Sequence, residues 1–226
     1  MHNSSLSTNS DEIVQKLWIW ADKNNISDLE WIKHDSYLNG GYFRGFPRDK
    51  QRLLTLEELN LLGSQVSHLP LEIGSLTQLK KLYLLGNQIT ELPKEIGLLE
   101  NLQELYLAGN RLKELPKEIG KLQNLKLLLL QENQLTCIPK EIASLKNLQS
   151  LELGANQLSS LPDEIAQLKN LKKLTFWKNK LSTLPLAMTN LLNLKELDFT
   201  YNRLTLTQDH AKWLDRLMQD GCLVSI

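Results

Sequence analysis

This 226-residue sequence has few of the residues that usually carry catalytic or metal-binding chemistry. It contains two cysteines and four histidines. Cys137 and Cys222 are far apart and fit neither a CxxC nor a Cys/His zinc spacing, so two free thiols in a reducing compartment are expected. The sequence shows no HExxH, GxSxG, P-loop or GxGxxG motif. We therefore predict no catalytic residue, no metal site and no cofactor.

The sequence also has no excess of charge and no long apolar run. Lys and Arg together number 26, as do Asp and Glu, so the formal net charge is zero. A nucleic-acid-binding protein needs a basic stripe to meet phosphate charge, and electrostatic docking to a membrane needs basic clusters. Every leucine stretch is interrupted by a charge or an amide, which excludes membrane insertion through a helix. The polar N-terminus does not resemble a cleaved secretory signal.

What the sequence has instead is a repeat of 23 residues. The segment LQELYLAGNRLKELPKEIGKLQN (102–124) recurs in altered form on both sides. Within each repeat an asparagine and a proline return at fixed positions. The asparagines are Asn87, Asn110, Asn133, Asn156, Asn179 and Asn202, and the prolines are Pro70, Pro93, Pro116, Pro139, Pro162 and Pro185. A heptad coiled coil would be broken by these residues, so it does not explain the leucines.

The repeat has a simple structural interpretation. Leu105 and Leu107 alternate with Tyr106, which predicts a short strand with both leucines on one face. We expect Asn110 to bond the turn backbone of its own coil and of the adjacent coil. The unit leaves only about a dozen residues for the convex side and its return, which is too few for a helix of average length with loops. The second half of each unit is therefore predicted to be a 3₁₀ turn or a very short helix, with Glu118 in its first turn.

The pattern LxxLxLxxNxLxxLPxEIGxL resembles the leucine-rich repeat family, in the 23-residue form found in bacterial and other intracellular proteins. The resemblance covers about residues 56–204. It implies an α/β fold: a right-handed, arc-shaped solenoid with a parallel concave sheet, short convex turns and helical caps at both ends.

The chain is accordingly divided into five segments. We expect a disordered tail at 1–10, a helical cap at 11–32, a degenerate repeat at 33–55, seven repeats at 56–204 and a helical C-terminal cap at 205–226. Ser27 and Glu30 form a capping-box pattern that predicts a second short helix toward Trp31. Thr207 is expected to begin the last helix and Gly221 to end it, with CLVSI as an apolar tail laid against it. The tryptophans of the N-terminal cap either seal the first coil or form a docking site.

The residues between the framework leucines are the strand positions that the repeat leaves free. They favour a concave binding face whose candidate residues are Leu62, Tyr83, Leu85, Glu104, Tyr106, Leu127, Leu129, Gln131, Glu152, Lys173, Trp177 and Asp198. An exposed apolar patch on adjacent strands marks an interaction surface. The alternative is that Tyr and Leu occur there for strand propensity and pack on one another across strands.

The sequence thus predicts a non-catalytic module that binds a protein on its concave face, and a monomer is expected rather than a homo-oligomer. The alternative is a structural protein that associates with itself through the same face. An enzyme acting through Cys137 is disfavoured because no base is visible nearby. The family resemblance implies a cytoplasmic bacterial scaffold, or an effector secreted without a cleaved signal into a host cell.

Overall fold

The computed structural model describes residues 4–32 and 42–226 and shows a parallel solenoid. Its main sheet has eight strands in the order β10-β9-β8-β7-β6-β5-β4-β3. These strands are β3 Glu58–Asn60, β4 Lys81–Tyr83, β5 Glu104–Tyr106, β6 Leu127–Leu129, β7 Ser150–Glu152, β8 Lys173–Thr175, β9 Glu196–Asp198 and β10 Leu223–Ser225. Each of the first seven pairs with its neighbour at a step of 23 residues, so Leu82, Leu105 and Leu128 lie side by side. The predicted strand positions and the parallel sheet are confirmed.

The return path of each of the six coils that begin with β3 to β8 is a 3₁₀ turn, as the length of the repeat predicts. The six turns are Leu71–Ser75, Lys94–Leu98, Lys117–Lys121, Lys140–Ser144, Asp163–Gln167 and Leu186–Asn190. In the third, Ile119 N donates to Pro116 O at 3.0 Å. Pro116 lies at the N-cap with φ −65°, and Glu118 lies in the first turn. Leucine and isoleucine from both halves of every coil fill one continuous core, and Leu105, Leu107 and Ile119 have no exposed surface.

The recurring asparagine joins neighbouring coils. Asn133 Oδ1 accepts from Leu112 N at 3.0 Å. Asn133 Nδ2 donates to Leu107 O at 2.9 Å and to Leu130 O at 3.1 Å. The side chain is buried, and it therefore satisfies main-chain groups of its own coil and of the coil before it. The role predicted for this position is confirmed.

The N-terminal cap differs from the prediction in two places. The first helix, α1, spans Ser4–Lys23, so Ser4–Ser10 are helical and the prediction of a disordered tail to residue 10 is wrong for them. The predicted second helix is also absent, because Glu30–Ile32 form strand β1, which pairs antiparallel with β2 Tyr42–Arg44. Asp28 bonds the backbone of Leu29 and of Arg48, and this tertiary link replaces the helix cap.

The rest of the cap covers the first coil. Trp20 is buried and its Nε1 donates to His68 O at 3.1 Å, which confirms the sealing role for this residue. Gly45 N donates to Asn60 O at 3.1 Å and so links the hairpin to β3. In the degenerate repeat, Phe46 and Leu53 are fully buried, and helix α2 (Lys50–Leu54) stands where a 3₁₀ turn would follow. The first half of that repeat, 33–41, lies outside the described residues.

The C-terminal cap follows the prediction for its helix and departs from it for its tail. Helix α3 spans Gln208–Gln219, begins at Thr207 with a capping box to His210, and buries Trp213. Gly221 follows the helix at φ +80°, the conformation that favours glycine at this position. The segment predicted as an apolar tail is instead β10, which pairs in parallel with β9 and extends the sheet. In the described parts of the chain, no helix combines the length and the apolar character needed to cross a membrane.

We predict that Asn133→Ala lowers the free energy of unfolding by about 3 kcal/mol, because several buried backbone groups lose their partners. Asn147→Ala is the matched control, since Asn147 bonds one backbone carbonyl, Gln123 O, at the exposed surface. The Asn147→Ala substitution should lower the free energy of unfolding by less than about 1 kcal/mol. Urea denaturation followed by circular dichroism measures both changes. Equal losses for the two variants would contradict the role given to the buried asparagines.

Candidate functional site

Three columns of side chains run across the concave face of the main sheet. The first column holds the first residue of each strand: Glu58, Lys81, Glu104, Leu127, Ser150, Lys173 and Glu196. The second holds the third residue: Asn60, Tyr83, Tyr106, Leu129, Glu152, Thr175 and Asp198. The third lies two residues further: Leu62, Leu85, Ala108, Gln131, Gly154, Trp177 and Thr200. All twelve predicted partner-binding residues fall in these columns.

The predicted apolar patch is contiguous but only partly open to solvent. Strand register places Tyr83, Tyr106 and Leu129 side by side, as expected. The two tyrosine rings stack with centroids 4.4 Å apart. Tyr83 is only 8% exposed, so the prediction that it faces solvent is wrong. Cross-strand packing explains its burial, while Tyr106, Leu127 and Leu129 keep a half-buried surface.

Burial and a carboxylate control the ionisation of the two tyrosines. Tyr106 OH donates to Glu104 Oε2 at 2.5 Å. Burial raises the pKa of Tyr106 far above its ordinary value, and the bond to Glu104 raises this pKa further. Burial also raises the pKa of Tyr83, against a smaller lowering by Lys81. Both phenols are therefore neutral hydrogen-bonding groups at physiological pH.

An ion-pair network occupies the later strands. Lys173 Nζ lies 3.2 Å from Glu152 Oε1 and 3.0 Å from Glu196 Oε1. Burial alone would lower the pKa of Lys173, but the bonds to the two carboxylates outweigh it and the pKa is raised. Gln131 Nε2 donates to the other oxygen of Glu152, and Gln131 Oε1 is buried without a donor. Asp198 Oδ1 accepts from Thr200 Oγ1 at 2.8 Å.

The third column contains a groove that the sequence did not reveal. Its volume is about 600 Å³, and it runs from Leu62 and Leu85 to Glu152 and Trp177. Gly154 makes room for Trp177, because a Cβ at residue 154 would lie 2.1 Å from Trp177 Nε1. The only sequence signal for this groove is a glycine that lies beside a tryptophan of the next strand. This signal can be recognised only when the register of the strands is known.

Within the described residues, the cysteines and histidines do not come together in one place. Cys137 is a free, exposed thiol, and Cys222 is buried in the C-terminal cap. His68 bonds Ser67, and His210 belongs to the capping box of α3. Over residues 4–32 and 42–226, no cluster of three His, Cys, Asp or Glu side chains could hold a metal ion.

We predict that Tyr106 titrates well above pH 10 and that Glu104→Gln lowers its pKa, because the carboxylate that favours the protonated phenol is removed. The folded pKa lies above the unfolded one, so this contribution to stability is complete below pH 10 and is lost as the pH rises further. Phenolate absorbance at 295 nm, compared with Tyr106→Phe, measures the titration. A titration unchanged by Glu104→Gln would show that the hydrogen bond is not formed.

Comparison with known proteins agrees with this architecture. A family model described as "Leucine-rich repeat region" matches residues 49–136 and 117–219. No curated protein is significantly similar to the chain. A solved leucine-rich repeat protein of Leptospira interrogans is 41% identical with a TM-score of 0.71, over 76% of this chain and 43% of that one. This chain therefore spans less than half the length of the Leptospira protein.

Two further solved structures have the same fold. Internalin C2 of Listeria monocytogenes is 30% identical with a TM-score of 0.66, over 77% of this chain and 72% of that one. The ectodomain of the Arabidopsis thaliana membrane receptor kinase GASSHO1/SCHENGEN3, solved in complex with Casparian strip integrity factor 2, is 29% identical with a TM-score of 0.65. It is matched over 70% of this chain and 20% of that one. With the repeat, the sheet and the asparagine bonds described above, these matches show that the chain belongs to the leucine-rich repeat family.

Proposed function

We propose that this chain is a non-catalytic module that binds a protein partner on the concave face of its main sheet. Leucine-rich repeat domains are generally protein-interaction modules, and this supports the proposal at the level of the family. The face itself adds a specific observation. Leu105, Leu107 and Ile119 and their equivalents are dictated by the core, whereas the three columns differ in chemistry from strand to strand.

The observation that carries the proposal is the placement of half-buried apolar side chains beside charged ones. Tyr106, Leu127 and Leu129 adjoin Glu152 and its partner Lys173 in the strand register. An apolar centre with a polar surround is the usual composition of a protein interface, and tyrosine is frequent among its energetically important residues. Leu98 and Leu186, which are 49% and 55% exposed, lie apart from each other on the convex turns. Isolated residues of that kind need no functional explanation.

We predict that the double variant Leu127→Asp/Leu129→Asp binds the partner at least about tenfold more weakly than the natural chain, because a buried carboxylate at an interface centre is costly. The partner is first captured from a lysate and identified by mass spectrometry, and its affinity is then measured by calorimetry. Leu98→Asp/Leu186→Asp is the matched control on the convex side and should bind normally.

Circular dichroism of both variants checks that the fold is retained. Equal affinity of the two double variants would place the interface away from the concave face. Light scattering of the unmodified chain tests the alternative of self-association: a dimer lost in Leu127→Asp/Leu129→Asp would support it. Action as a bacterial scaffold or as a host-directed effector stays a prediction, and a translocation assay tests the second.

A further inference from the structure

The concave face is acidic, although the whole chain has no net charge. Two lysines stand in its three columns, Lys81 and Lys173, and both are held in ion pairs. The same columns contain five carboxylates: Glu58, Glu104, Glu152, Glu196 and Asp198. The three columns therefore carry three more negative than positive charges. A partner bound there is favoured when its own contact surface is basic.

The groove of the third column is acidic at the end that contains Trp177. Two carboxylates line it, Glu132 and Glu152, and no lysine or arginine does. Glu132 is exposed and has no ion pair or hydrogen bond with another side chain in the described structure. Glu152 is held by Lys173, Ser150 and Gln131, so its carboxylate is fixed in position.

The aromatic wall of the groove is placed beside these carboxylates. The indole of Trp177 lies over Gly154, which has no side chain to separate the ring from the strand. One ring face is thus occupied by the backbone, and Trp177 also lines the groove. Trp177 Nε1 has no hydrogen-bond acceptor in the described structure. An aromatic face beside carboxylates is the setting in which a guanidinium group is bound, because it can stack on the ring and donate to the oxygens at once.

The remainder of the groove suits an extended main chain. Its floor is made of small residues, Gly86, Ala108 and Gly109. Gly86 and Gly109 have no Cβ, so backbone atoms form the floor there. Their φ values of +63° and +67° lie in the region that favours glycine. From Leu62 to Trp177 the groove crosses five strand spacings, about 24 Å at the usual 4.8 Å each. An extended segment of about seven residues has this length.

We propose that this groove binds an extended, arginine-bearing segment of the protein partner, with the guanidinium between Trp177 and the carboxylates of Glu132 and Glu152. This inference rests on the proposed function and specifies the chemistry of the partner. The exposed lysines of the main sheet lie at the N-terminal ends of its strands, whereas the groove lies beyond their C-terminal ends. These lysines are Lys80, Lys126, Lys172 and Lys195. None of these lysines lines the groove, and neither does Lys178, the exposed residue that follows Trp177.

The test uses the full chain labelled with 5-fluorotryptophan. Five tryptophans give separate ¹⁹F resonances, and Trp177→Phe identifies the one from Trp177. The probes are the peptide acetyl-GGSRSGG-amide and the same peptide with citrulline, which has the shape of arginine without its charge. We expect the arginine peptide to shift the Trp177 resonance in a saturable way. The citrulline peptide should bind at least about fivefold more weakly, because the charge-assisted bonds and the cation–π contact are lost.

The matched variants are Glu132→Gln and Glu58→Gln. The Glu132 backbone N donates to Gly154 O, a bond that glutamine keeps. Its side chain makes no hydrogen bond or ion pair in the described structure, so the variant should fold normally and bind the arginine peptide about threefold more weakly. Glu58 lies on the same face at the start of β3, away from the groove, and its variant should bind unchanged. The inference is overturned if citrulline and arginine peptides bind equally, if Trp177 does not respond, or if Glu132→Gln has no effect. If it fails while Leu127→Asp/Leu129→Asp still loses the partner, the proposed function stands without it.

Discussion

One interaction repeated along the chain makes the solenoid possible, namely the bonds from a buried asparagine to the turn backbone of two coils. A turn inside a protein leaves main-chain N–H and C=O groups away from water, and each unpaired group is costly. Asn87, Asn110 and Asn133 each accept one N–H of the preceding coil and donate to carbonyls on both sides. The bonds fix the spacing of the coils and therefore the register of the strands. The register in turn decides which side chains meet on the concave face.

The sequence predicts most of the fold because the coil-to-coil contacts repeat at a constant step. Strands, 3₁₀ turns, asparagine bonds and helix α3 all follow from local patterns that agree with one another. The structures of the N-terminal and C-terminal caps are less predictable because the 23-residue pattern does not extend into them. Ser27–Glu30 has the letters of a capping box, but Asp28 bonds Arg48 from a distant segment and the chain forms β1. Leu223–Ser225 is three residues long, and only its fit beside β9 makes it a strand.

The candidate site is predictable in its positions and less so in its surface. Counting along the repeat finds all three columns, because strand residues alternate between the core and the concave face. Counting along the repeat does not tell how exposed a side chain is. Tyr83, for example, is buried because Tyr106 stacks on it. The groove depends on a similar relation, since Gly154 matters only through the tryptophan that lies over it. Glu132 lies outside the columns, in the turn that follows β6, so counting strand positions along the repeat does not find it.

The repeat dictates the core and the turns, whereas we propose that binding depends on the concave columns. A library of single substitutions at every position, scored both for the amount of folded protein and for partner binding, tests this most directly. Substitutions at Leu105, Asn110 and Ile119 are expected to lower both scores. Substitutions that lower binding alone should cluster at the three columns and the groove. The claim is contradicted if they cluster instead on the convex 3₁₀ turns.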